Sequence, residues 1–175
     1  MRGIDRLQSV ERSTPLMREA LPDLPMTQTV MVRLMRISVF GMSDYFEPVF
    51  RKLGLSENMF HVLCLLLASE SGEASPSELS DLVGTSRGNM TRILDALVAE
   101  GLIVRAVAER DARRYSVAIT PAGRDAAERA VPRLAGPLER AFSGLSPEEL
   151  GTLDRLLRKA VVSFDKSARP FKSVA

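Results

Sequence analysis

Between residues 75 and 101 the chain carries two helix starts and two helix stops in close succession. Ser75-Pro76-Ser77-Glu78 forms a capping box with proline at the first helical position, where a missing N–H costs nothing. The short helix it starts runs through Leu79, Leu82 and Val83 until Gly84 stops it. After a turn of two or three residues a second helix begins at Thr85 or Ser86 and carries Met90, Ile93, Leu94, Leu97 and Val98 at helical spacing to Gly101. This is a helix, tight turn, helix unit. The period then changes to two over LIVRAV (102–107), followed by the polar tip AERDA and by RRYSVAI, which reads as a two-stranded hairpin. The expected fold is mainly α with a small β-hairpin: a winged helix-turn-helix flanked by a helical dimerisation region.

The flanking segments supply that region. Residues 1–25 hold three prolines and a short helix candidate at 4–11, and read as an N-terminal arm that needs a partner surface. From Met26 to Leu53 apolar residues recur every three to four positions, with one gap at Ser38, and Pro48 is expected to kink this long amphipathic helix. Gly54 ends it, and Ser56 caps the next helix with Leu55 and Phe60 as a hydrophobic staple. Beyond the hairpin, Thr120-Pro121 starts a further helix in which Pro132 and Pro137 should cause a bend or break. Ser146-Pro147-Glu148-Glu149 repeats the capping box before a last helix striped by Leu150, Leu153, Leu156, Leu157 and Val161. The expected organisation is therefore an arm over 1–25, a winged lobe over 56–120, and dimer helices over 26–55 and 121–168. Two apolar stripes at the chain ends ask for a second copy to pack on.

Composition excludes much else. The 175 residues, 45% hydrophobic and 26% charged, suit one soluble globular domain. The longest apolar stretch, 59–68, is too short to span a bilayer, and the mixed charges of MRGIDRLQSVERS are no secretory signal, so the cytoplasm is the expected location. One Cys and one His allow neither a disulfide nor a four-ligand zinc site, and no nucleotide-binding or nucleophile-elbow motif occurs. No cofactor and no metal are expected, and no enzyme.

Charge is distributed unevenly. Residues 53–86 contain no Lys or Arg and carry a local charge of −5, whereas 87–114 carry +2, so a positive field starts abruptly at Arg87. Turning Met90, Ile93, Leu94 and Leu97 toward the core leaves Gly88, Asn89, Thr91, Arg92 and Asp95 outside, with Ser86 and Arg87 at the N-terminus. That end of such a helix enters the major groove of DNA. Arg92 can fork onto guanine or a phosphate, Asn89 can pair with adenine, and the hydroxyls of Ser86 and Thr91 suit phosphate oxygens. Gly88 has no side chain to hold the backbone away from a duplex. Arg110, Arg113 and Arg114 at the hairpin tip suit a narrow, negative minor groove.

The stretch PSELSDLVGTSRGNMTRILDALVAEGLIVRAVAERDARRYSVAITPAG resembles the winged-helix core of the MarR family of bacterial transcription regulators. In that family a helix rich in Thr and Arg leads to a GLI or GLV strand start, a D-x-R wing tip and an LTxxG exit. The likeness covers about residues 25–165 and is closest to the family's multidrug-efflux repressors, through SRGNMTRI. It implies a homodimer that binds a pseudo-palindromic operator in double-stranded DNA, a repressor controlling efflux or stress genes. By the same resemblance Arg87, Asn89, Thr91 and Arg92 take the major-groove positions, and Asp111 and Arg113 match the D-x-R wing. Ala112 departs from the Arg often found there, which shifts wing contacts onto Arg114, and Ile119-Thr120 replaces the LT of the exit.

The resemblance also implies a small aromatic or lipophilic effector, held between dimer helices and DNA-binding lobe. Met42, Tyr45, Phe46 and Phe50 of the long helix, with Met59, Phe60 and His61 of the next, are the candidate lining. Polarizable Met and aromatic rings suit such a ligand, and Tyr45 and His61 can fix a polar head group. The competing reading is a winged helix serving as a protein-protein module; Arg87, Arg92 and Arg113 together argue against it.

Overall fold

A computed structural model describes residues 3–107 and 115–167 of the chain. It falls into two compact units, Met1–Val131 and Pro132–Ala175.

The first unit opens with α1 (Gly3–Ala20) and α2 (Met26–Lys52). The helix expected over 4–11 extends well beyond Pro15. Two hydroxyls bond back to the turn before that proline, Ser13 Oγ to the Ser9 carbonyl at 2.6 Å and Thr14 Oγ1 to the Val10 carbonyl at 2.7 Å. The surface that orders α1 is α2 of the same chain. Val10 is buried, Arg33 donates to Ser13 Oγ at 2.6 Å, and Arg6 lies 4.2 Å from the centre of the Phe40 ring while its guanidinium meets Asp44 at 3.3 Å. α2 runs through both Ser38, whose hydroxyl bonds the Leu34 carbonyl at 2.8 Å, and Pro48.

The winged lobe follows as α3 (Glu57–Ala68), β1 (Glu73–Ala74), α4 (Pro76–Val83), α5 (Arg87–Ala99), β2 (Ile103–Val107), β3 (Tyr115–Ile119) and the start of α6 (Pro121–Ala141). Ser56, Ser75 and Ser86 cap α3, α4 and α5, each accepting from a backbone N–H three residues on at 3.2 Å. The core joins the apolar faces of these elements: Leu55, Val62, Leu63, Leu66, Leu79, Met90, Ile93, Leu94, Leu97, Ile103, Val117 and Ala127 are all buried in one cluster.

The expected two-stranded hairpin is a three-stranded antiparallel sheet of order β1-β3-β2. β1 lies in what reads as the loop SGEA. Its two residues pair Glu73 with Ala118 and Ala74 with Val117, and Ser116 Oγ donates to the Glu73 carboxylate at 3.0 Å. Where β3 ends, Thr120 Oγ1 accepts from the Gly123 N–H at 3.0 Å and caps α6. A Cβ on Gly123 would lie 2.0 Å from the Leu102 carbonyl oxygen, so this exit admits glycine alone.

α6 continues through Pro132 and Pro137, so of the bend or break expected there the break does not occur. Each proline removes one backbone bond, to the carbonyls of Glu128 and Arg133, and the remaining bonds of a 21-residue helix carry it through. In the second unit the Ser146 capping box closes in both directions: the Glu149 N–H donates to Ser146 Oγ at 3.2 Å, and the Ser146 N–H donates to the Glu149 carboxylate at 2.8 Å. The helix it starts, α7 (Pro147–Ser167), exposes Leu156, Leu157, Val161, Val162 and Phe164. Among the described residues no helix is long and apolar enough to cross a membrane.

Candidate nucleic-acid interface

The turn between α4 and α5 is held from inside. Gly84 takes the left-handed conformation at φ 71°, which an L side chain adopts only with strain. The buried Ser80 then locks the reversal: its hydroxyl donates to the Thr85 carbonyl at 2.7 Å, and its carbonyl accepts from the Thr85 N–H at 3.0 Å. Ser80 is a turn-holding position that hydrophobic periodicity alone does not single out. Its signal is a small hydroxyl four residues before the stop glycine.

With the turn fixed, Met90, Ile93, Leu94 and Leu97 anchor α5, and Ser86, Arg87, Gly88, Asn89, Thr91, Arg92 and Asp95 lie on its exposed side. Arg87 and Arg92 make no ion pair among the described residues. The polar side chains between them are already partly engaged. Asn89 Nδ2 donates to Thr85 Oγ1 at 2.8 Å, which spends one amide hydrogen and leaves the other and the Oδ1 acceptor for a base edge. The Thr91 hydroxyl donates to the Arg87 carbonyl at 3.0 Å, so it must rotate before it can donate to a phosphate. Ser86 Oγ accepts from the Asn89 N–H and keeps its own hydrogen free. A Cβ at Gly88 would meet nothing within 4 Å, so no internal contact demands glycine there.

Asp95 does not add to a free surface charge. It is ion-paired to Arg105 on β2, and that guanidinium sits 5.3 Å from the centre of the Tyr115 ring on β3. The pair ties α5 to both long strands of the wing and removes one negative charge from the exposed side of the helix. Sequence reasoning counted both charges without joining them; their spacing of ten residues across a helix end and a turn carries no local signal. The tip residues Arg110, Asp111, Ala112, Arg113 and Arg114 lie outside the described residues.

Of the candidate ligand residues, the structure brings the aromatic ones together. Tyr45, Phe46, Phe50 and Phe60 form a chain of ring contacts with centroid separations of 5.0, 6.5 and 5.7 Å, leading from α2 to α3. Phe46 and Phe50 are buried and Phe60 half-buried, whereas Met42, Tyr45 and His61 are exposed. Nearer the N-terminus of α2, Met35, Arg36, Val39, Phe40, Ser43 and Asp44 line an open groove of about 460 Å³. Cys64 is half-buried, and burial raises its thiol above the ordinary value, which disfavours the thiolate a nucleophile needs.

Comparison with known proteins places this geometry. Residues 55–115 match the model of the MarR family. The chain is 28% identical over 144 residues to the transcriptional repressor MprA of Escherichia coli strain K12, a match covering 82% of each chain. It is 30% identical over 119 residues to the multiple antibiotic resistance protein MarR of Salmonella typhimurium strain LT2, covering 67% of this chain and 78% of that one. Among solved structures it resembles Bordetella bronchiseptica BpsR, whose DNA binding is regulated by 6-hydroxynicotinic acid, with a TM-score of 0.68 and 25% identity over 75% of this chain and 98% of that one.

Proposed function

Because the chain belongs to the MarR family, whose members regulate transcription and are not enzymes, we propose that it is a homodimeric repressor that binds a pseudo-palindromic operator and is released by a small aromatic or lipophilic ligand. The observation that carries this reading is the exposed N-terminal half of α5, where two arginines without ion-pair partners among the described residues flank a free amide face on a rigidly held turn. Arg87, Asn89 and Arg92 read the major groove, Ser86 and Thr91 bind phosphate, and Arg113 and Arg114 of the wing enter the flanking minor groove. Asp95 and Arg105 hold wing and helix at a fixed spacing.

The exposed apolar side chains of α2 and α7, Val39 and Phe40 on one and Leu157 and Val161 on the other, are what a second copy would cover. Residues 26–55 and 121–168 are then the dimerisation region, and 56–120 the DNA-binding lobe. Two lobes related by a twofold meet half-sites about 10 bp apart, or a multiple of that. An effector among Met42, Tyr45, Phe46, Phe60 and His61 would sit where α2 meets α3 and set the spacing of the two recognition helices. Efflux or stress genes are the proposed targets, as the family resemblance of the winged core implies.

The test is a binding assay on the DNA upstream of the chain's own gene, with light scattering on the free protein. Two protected half-sites, a dimer mass, and release of the DNA by a phenol or aromatic acid are the expected results. A ligand that prefers the incompetent spacing by about 100-fold supplies about 2.7 kcal/mol of coupling, and operator DNA must weaken ligand binding by the same factor. Equal ligand affinity with and without operator would exclude this mechanism of release.

A further inference from the structure

The hydrogen bonds that hold the α4–α5 turn continue outward to a side chain on the exposed side of α5. The series begins at the buried Ser80, which ties both backbone groups of Thr85, the carbonyl at 2.7 Å and the N–H at 3.0 Å. Thr85 is half-buried, and its Oγ1 accepts from Asn89 Nδ2 at 2.8 Å. The backbone N–H of Asn89 donates to Ser86 Oγ at 3.2 Å. Asn89, though exposed, is therefore tied to the turn by main chain and side chain alike. What the side-chain tie selects is an edge of the amide. A primary amide carries one N–H beside Cβ and one beside Oδ1, and only the second stands next to an acceptor. A donor beside an acceptor matches adenine, which offers N7 as acceptor and N6–H as donor, and opposes guanine, whose N7 and O6 both accept. An amide free to turn escapes that rule, because swinging its NH2 outward presents two donors to guanine. Asn89 swinging that way must break its bond to Thr85.

We propose that Thr85 is a positioning residue for base recognition: it takes the amide hydrogen beside Cβ of Asn89, holds Oδ1 and the other N–H outward, and so makes Asn89 read adenine and reject guanine. The inference rests on α5 lying in the major groove, and adds to that reading a residue that itself touches no base. Holding the amide before DNA arrives also spares the rotamer freedom that an untethered side chain loses on binding, about two- to tenfold in affinity.

The experiment selects bound sequences from a pool of random duplexes with the full chain and with its Asn89→Ala variant. Each protein is then measured on the selected duplex carrying adenine, guanine or 7-deazaadenine, which lacks the N7 acceptor, at the position that Asn89→Ala no longer specifies. Wild type and Thr85→Ser, which keeps the hydroxyl, are expected to prefer adenine over guanine by about fivefold or more and to lose a similar factor with 7-deazaadenine. Thr85→Val keeps the shape without the acceptor, so its preference for adenine should shrink to about twofold or less while thermal unfolding moves little. Thr85→Ala, a second variant without the acceptor, should behave the same way. Full discrimination in either variant, or a position that specifies guanine, overturns the proposal while DNA binding stands. So does an Asn89→Ala variant that alters no single position of the selected sequence. A wild type that retains no duplex at all defeats the DNA-binding reading itself, and this proposal with it.

Discussion

Replacing Gly123 with alanine tests how the wing is joined to α6. The added Cβ would stand 2.0 Å from the Leu102 carbonyl oxygen and 3.0 Å from Ile119 Cγ1. A carbon and a carbonyl oxygen rest at about 3.3 Å or more, so one of the two backbones must retreat by roughly 1.3 Å. The Leu102 oxygen is not free to do so, since it accepts from the Thr120 N–H at 3.1 Å and from Thr120 Oγ1 at 3.0 Å. Overpacking of this kind costs about 1–3 kcal/mol, and losing one or both hydrogen bonds adds about 1 kcal/mol each. The sum, about 2–5 kcal/mol, is a large part of the stability of an ordinary domain. In urea unfolding, with a slope of about 2 kcal/mol per molar, the midpoint should fall by about 1 M or more. A fall below about 0.3 M would show that the strand exit yields easily, and would refute the claim that Thr120 and Gly123 fix it.

Three further outcomes are expected. Ser86→Ala removes the cap of α5 and should cost about 1 kcal/mol in thermal unfolding while also weakening DNA binding; a stability loss without a binding loss would remove Ser86 from the interface. Asp95→Asn releases Arg105 from its helix partner and should weaken binding to operators more than to short major-groove half-sites, measured by fluorescence anisotropy, whereas an equal effect on both would deny the pair a role in placing the wing. Because burial raises the Cys64 thiol, its thiolate forms only at higher pH, so alkylation by iodoacetamide should be slower in the folded chain than in urea at pH 8 and should rise later along the pH axis; equal rates would contradict the burial.

What the sequence made legible was local. Capping boxes at Ser75 and Ser146, the stop at Gly84 and the periodicity of α5 are each written within a few residues, and the structure puts Ser86, Arg87, Asn89, Thr91 and Arg92 on the exposed side that spacing assigns them. What was hidden depends on distant partners. β1 is two residues long and exists by pairing with β3, some forty residues away, so no pattern within SGEA announces it. α1 outlasts Pro15 because α2 packs against it, a tertiary gain that outweighs one lost backbone bond. The Asp95–Arg105 pair, likewise, is visible only once helix and strand are laid side by side. For the ligand region, spacing alone could not separate Phe46, which is buried, from Tyr45 and His61, which are exposed.

The central claim, that α5 reads bases, is tested most directly by the affinity of wild type and Arg92→Ala for an operator and for a scrambled duplex of equal length across a range of salt. The expected result is a loss of about 1–3 kcal/mol on the operator, confined to one position of each half-site, with little change on the scrambled duplex. Equal losses on both, together with a salt slope reduced by about one unit, would show that Arg92 only neutralises a phosphate. Failure of the wild type to retain either duplex even at low salt would contradict the DNA-binding account altogether.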